Sequence, residues 1–84
     1  MMNLIVLTPD RQVFSGTIKS VKVPGSKGQF EVLKNHQAIV SSLQAGKIRV
    51  ILENGEKQIF RIENGFIEVL NNEISLLVQG YQEI

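Results

Sequence analysis

His36 is the single histidine of the chain, and there is no cysteine, so imidazole or thiolate chemistry has one residue to start from. Zinc and related metals need several nitrogen, sulfur or carboxylate donors converging on one point. His36 has no second histidine and no carboxylate pair nearby, which predicts no metal site. Ser41 and Ser42 follow it, but they lie in an apolar segment, and no Gly-x-Ser-x-Gly elbow occurs to raise a nucleophilic serine. The expectation is a loop histidine that bonds local backbone or faces a partner, in a chain without catalytic residues.

Gly25-Ser26-Lys27-Gly28 combines glycine with lysine as a phosphate loop does. That loop requires the lysine after the second glycine and a helix whose first amides cradle the anion; here the lysine precedes the glycine and a strand follows. Pro24 fixes φ and the glycines permit positive φ, so the segment reads as a projecting turn with Lys27 at its tip, solvated or reaching an acidic neighbour. Nucleic-acid binding is not expected. Nine Lys/Arg and eight Asp/Glu alternate along the chain for a net charge of +1. Phe14, Phe30, Phe60, Phe66 and Tyr81 fall in five separate segments and read as core, not as a stacking platform. No cofactor is expected.

The elements that hold these residues read as strands. Ile48, Val50 and Leu52 alternate with Lys47, Arg49, Ile51 and Glu53, the period of a half-buried strand, and Ala is scarce. Asn54-Gly55 joins Ile48 to Glu53 with Lys57 to Ile62 and predicts a hairpin closed by a type I′ turn. Asn71-Asn72 joins Phe66 to Leu70 with Glu73 to Val78, placing Ile74, Leu76 and Val78 on one face and Ser75, Leu77 and Gln79 on the other. Ile18, Val21 and Val23 slip by one register, which a bulge would correct. Ala38 to Leu43 suits either a helical turn or a short strand, with Ile39 and Val40 placed against the core. With 43% hydrophobic residues, no long apolar run and no basic leader, the reading is one soluble all-β domain over residues 1–84, a sandwich or barrel of short strands. The lack of cysteine fits a reducing compartment or independence of disulfides.

Several motifs in one order resemble the N-terminal β-sandwich domain of the F-type ATP synthase epsilon subunit. They are Leu4-Ile5-Val6-Leu7-Thr8-Pro9-Asp10 with Val13-Phe14-Ser15-Gly16, then Val21-Lys22-Val23-Pro24-Gly25, Gly28-Gln29-Phe30 and Val32-Leu33-Lys34-Asn35-His36. Gly46-Lys47-Ile48-Arg49-Val50, Asn64-Gly65-Phe66-Ile67-Glu68-Val69 and Ile74-Ser75-Leu76-Leu77 complete the set. Lys34, Gln37-Ala38 and Asn64-Gly65 depart from the family pattern, which has proline before the Asn-His pair, Ala-Pro after it and Gly-Gly before the Phe66 position.

The resemblance implies a two-sheet antiparallel β-sandwich in the central stalk, held between the gamma subunit and the c ring, turning with both and performing no bond chemistry. It implies a peripheral location at the cytoplasmic face of the inner or plasma membrane, with membrane association only through the complex. It places Ser26, Lys27 and Gln29 on one loop and Asn35, His36 and Gln37 on another, both at the end facing the c ring, and one sandwich face on gamma, for which Ile51 and Ile59 are candidates. The sequence has no material after the sandwich for the C-terminal helical hairpin of many members, so inhibition through that hairpin is not expected. The alternative is a lipoyl or biotinyl carrier domain, although no Asp-Lys or Met-Lys-Met occurs. The two separate by mass spectrometry after expression beside lipoyl and biotinyl ligases: an unmodified mass is expected, and a lysine adduct would establish the carrier.

Overall fold

The computed structural model covers Met1–Ile84 and consists of strands and turns without helix. The strands are β1 (Met2–Leu7), β2 (Gln12–Gly25), β3 (Gly28–Leu33), β4 (Ile39–Leu43), β5 (Gly46–Leu52), β6 (Lys57–Ile62), β7 (Asn64–Leu70), β8 (Glu73–Gln79) and β9 (Gln82–Glu83). Two layers face each other as a β-sandwich. One runs β1-β8-β7-β4, with β1 and β8 parallel and the other pairs antiparallel; the second places β2 between β3 and β5 and continues through β6 to β9. The fourteen-residue β2 belongs to both layers, because its first half pairs with β1 and its second half with β3 and β5.

Strand parity explains which side chains fill the space between the layers. In β7, Ile67 and Val69 are buried while Phe66, Glu68 and Leu70 face out; in β8, Ile74, Leu76 and Val78 are buried, as their alternation predicts. Seventeen buried apolar residues form one continuous core, and Val13, Phe14, Phe30, Ile39, Leu52 and Tyr81 pack on its margin. The β2–β5 register shifts between Ile18 and Ser20. This irregularity accounts for the slipped spacing in β2, and it leaves Ile18, Val21 and Val23 all buried.

The structure departs from the sequence reading at three places. The Asn54-Gly55 hairpin exists, but its turn is not type I′: only Gly55 has positive φ, at 91°. The Gly55 N–H donates to the Leu52 carbonyl and the Leu52 N–H to the Glu56 carbonyl, giving a three-residue loop with glycine in the left-handed position. Asn54 stabilises it by accepting the Glu56 N–H at 2.9 Å. Positive φ at two successive residues occurs instead at Asn71 and Asn72, with φ 49° and 64°. Ala38 to Leu43 resolves as the strand β4, but Val40 is 71% exposed, because it occupies the outward parity between Ile39 and Ser41. For the same reason Phe66 is 56% exposed, whereas Phe60 is buried and stacks at a tilt on Tyr81 with ring centroids 5.1 Å apart.

Gly65 marks the tightest approach within the first layer, since a Cβ there would lie 2.5 Å from the Leu77 carbonyl oxygen and 3.1 Å from Val78. Backbone cannot yield as a side-chain tip does. Gly65→Ala is expected to cost about 1–3 kcal/mol, comparable to overpacking a core, and thermal unfolding monitored by circular dichroism should register a lower Tm.

Candidate partner-docking surfaces

The tight turn between β2 and β3 exposes Ser26 and Lys27, with Gln29 exposed at the start of β3. The turn is anchored, not free. Ser26 donates its N–H to the Ser42 carbonyl at 3.1 Å, and the two serine hydroxyls share a hydrogen bond of 2.8 Å. Gln44 donates its side-chain amide to the Gly25 carbonyl at 3.0 Å. These bonds tie the turn to the end of β4, so Lys27 projects from a fixed base.

The second predicted loop is built differently. Asn35 sits at φ 67°, and its N–H donates to Asn72 Oδ1 at 2.6 Å while Asn72 Nδ2 donates back to Asn35 Oδ1 at 3.2 Å. Asn72 in turn accepts the Asn3 N–H on its carbonyl. His36 is half-buried; its N–H bonds the Leu33 carbonyl, and its Nδ1 donates to the Gln37 carbonyl at 2.7 Å. Gln37 is exposed. The loop is thereby riveted to the β7–β8 turn and the start of β1.

The two loops are set apart along β3. They leave opposite ends of β3, and its five steps from Gly28 to Leu33 separate them by about 16 Å at the usual rise of an extended strand. Ser26, Lys27 and Gln29 form one group; Asn35, His36 and Gln37 form another.

A third surface was not anticipated at its actual place. Leu7, Leu77 and Phe66 lie side by side across β1, β8 and β7, since Leu7 pairs with Leu77 and Leu77 with Phe66. With Pro9 they line a shallow groove of about 400 Å³, and the exposed Val40 on β4 stands opposite Glu68 of β7. None of the nine Lys/Arg lies on β1, β4, β7 or β8. The opposite layer carries Lys22, Lys47, Arg49, Lys57 and Arg61, with Arg49 paired to Glu31 at 3.0 Å. Ile51 and Ile59, the expected apolar row, are set among these charges, half-buried and 38% exposed respectively. The larger apolar surface is therefore on the other layer. Its signal in the sequence was the outward parity of Phe66 and Leu77, out of step with the buried residues beside them.

These features define a small β-sandwich with one exposed apolar face and two anchored end loops, and no three His, Cys, Asp or Glu side chains assemble to hold a metal. The chain belongs to the family described as ATP synthase, Delta/Epsilon chain, beta-sandwich domain, whose profile matches residues 1–83. It is 41% identical over 76 residues to an ATP synthase epsilon chain from Chlorobaculum tepidum, covering 90% of this chain and 86% of that one. It is 37% identical to an ATP synthase epsilon chain from Protochlamydia amoebophila, covering 96% of this chain but only 55% of the relative. In fold it matches a chain in a Euglena gracilis mitochondrial ATP synthase structure of OSCP, F1 and c-ring, with a TM-score of 0.88 at 20% identity, over 98% of this chain and 52% of that chain. A chain from the Tetrahymena thermophila mitochondrial ATP synthase central stalk and c-ring gives 0.79 at 16% identity, over 98% and 66%.

Asn72→Gly keeps the left-handed backbone but removes both side-chain bonds to Asn35. A loss of about 1–2 kcal/mol is expected, together with faster amide exchange at Asn35 and unchanged exchange at Ser26, measured by NMR.

Proposed function

We propose that this chain acts as an epsilon-type rotor subunit of an F-type ATP synthase, binding the gamma subunit and the c ring in the central stalk and coupling ion translocation to ATP synthesis without bond chemistry of its own. Family membership together with the exposed Leu7–Leu77–Phe66 row is what carries this reading. Exposed apolar side chains packed side by side in a soluble domain commonly mark an interface, and here they lie on the layer free of basic residues. Gamma rests on that layer. The c ring meets the Ser26, Lys27 and Gln29 end, where a cation and two polar side chains stand on a fixed turn. Asn35, His36 and Gln37 follow the far end of β3 and belong with gamma, since their loop is tied to the β7–β8 turn.

Torque transfer needs a body that does not yield. Two layers with a shared close-packed core deform little, and the hydrogen bonds at Ser26–Ser42 and Asn35–Asn72 extend that stiffness to the loops that meet partners. The chain then works at the cytoplasmic face of the membrane, peripheral to it and held there by the complex.

Cross-linking tests the assignment. Gln29→Cys is expected to link to c subunits and His36→Cys to gamma in the assembled enzyme, and Phe66→Glu to weaken capture of gamma by more than about tenfold with an unchanged Tm. Capture of neither subunit by the native chain would overturn the proposal; links from Phe66→Cys to c subunits alone would overturn the choice of face.

A further inference from the structure

The apolar face of the first layer encloses one unpaired carboxylate. Glu68 faces outward from β7 between Phe66 and Leu70, which precede and follow it by two residues on the same side of the strand. Val40 stands directly across from it on β4 and Ser75 on β8, and Leu77 lies on the diagonal, opposite Phe66. Val40, Phe66, Leu70 and Leu77 are each more than half exposed, so large apolar side chains surround the carboxylate on the surface itself.

Nothing in the chain neutralises it. None of the nine Lys/Arg lies on β1, β4, β7 or β8, and the ion pair of Arg49 with Glu31 belongs to the other layer. Glu73, the other acidic residue of these four strands, is engaged, because its carboxylate accepts Asn3 Nδ2 at 2.7 Å. The Glu68 carboxylate has no hydrogen-bond partner.

In the free chain this costs little, since water solvates an exposed carboxylate. A surface docked over Phe66, Leu70 and Leu77 removes that water, and a charge buried without a partner is strongly unfavourable. Glu68 therefore opposes a wholly apolar partner surface and favours one that delivers a cation at this point, which is how a charge within an interface discriminates between partners.

We infer that Glu68 is a specificity-determining residue of this face and accepts a Lys or Arg side chain of gamma. That cation is set among apolar side chains covering Phe66 and Leu70, each about 7 Å from Glu68 along the strand, the span of two extended residues. The inference rests on the rotor-subunit reading for the identity of the partner and adds the chemistry by which that partner is selected. The competing role for such a charge is to keep an exposed apolar face from self-association. The two roles predict opposite effects of leucine at this position.

The test measures binding of the whole chain to an F1 assembly depleted of its epsilon-type subunit, with dissociation followed in real time. Glu68→Gln, close in shape but uncharged, is expected to weaken binding by about tenfold through faster dissociation, and Glu68→Lys by at least ~100-fold. Glu68→Leu enlarges the apolar surface, yet it is expected to weaken binding at least as much as Glu68→Gln, because the partner's cation is left buried without its carboxylate. Position 68 points to solvent in the free chain, so an unchanged Tm is expected for all three variants. Equal or tighter binding of Glu68→Leu, or undiminished binding of Glu68→Gln, would overturn the inference and leave the carboxylate as a guard of the free surface. Failure of the native chain to bind the depleted assembly would overturn the rotor-subunit reading itself, and this inference with it.

Discussion

The bulged strand β2 is the constraint on which the rest of the structure depends. It meets β1, β3, β4 and β5, and its two halves pair in different layers. Without the register shift between Ile18 and Ser20, one half of its apolar side chains would turn to solvent, because a slip of one residue exchanges the faces of a strand. With it, Ile18, Val21 and Val23 all enter the core, and a single fourteen-residue segment binds the two layers into one body.

From that arrangement follow the three surfaces. The second half of β2 carries Pro24 and Gly25 to the point where the β2–β3 turn meets the end of β4, which is why Ser26 and Ser42 can share a hydrogen bond. The length of β3 sets the distance to the Asn35 loop, and the Asn35–Asn72 pair closes that end. The parallel pairing of β1 with β8 places Leu7 beside Leu77 and so completes the apolar row begun by Phe66. Stiffness and surface chemistry share one cause, since the strands that close the core also set the outward residues in register. The charge division has the same origin: the basic side chains of β5 and β6 stand on the outer face of one layer, and the strands of the other carry none.

Much was legible without coordinates. The alternation in β5 and β8 identified buried residues there, the Asn-Gly and Asn-Asn pairs located two hairpins, and the spacing in β2 revealed its bulge. The turn at Asn54-Gly55 was misread because an Asn-Gly pair satisfies both a two-residue type I′ loop and a three-residue loop with glycine left-handed; the Asn54 bond to the Glu56 N–H goes with the second. Phe66 and Val40 were assigned to the core on their apolarity. Their parity contradicted that assignment, and a hydrophobic side chain on an outward position stays outside unless another layer covers it.

The sequence by itself determined the strand class, the inward side chains of β5 and β8 and the membership of a family, because parity, turn chemistry and motif order are properties of neighbouring residues. Only the tertiary structure decided which outward residues become neighbours, and that the Lys27 turn is tied to the end of β4 while the His36 loop is tied to the β7–β8 turn. Those depend on register between strands far apart in the chain, and register is set by how the whole core packs, which no local stretch of residues contains.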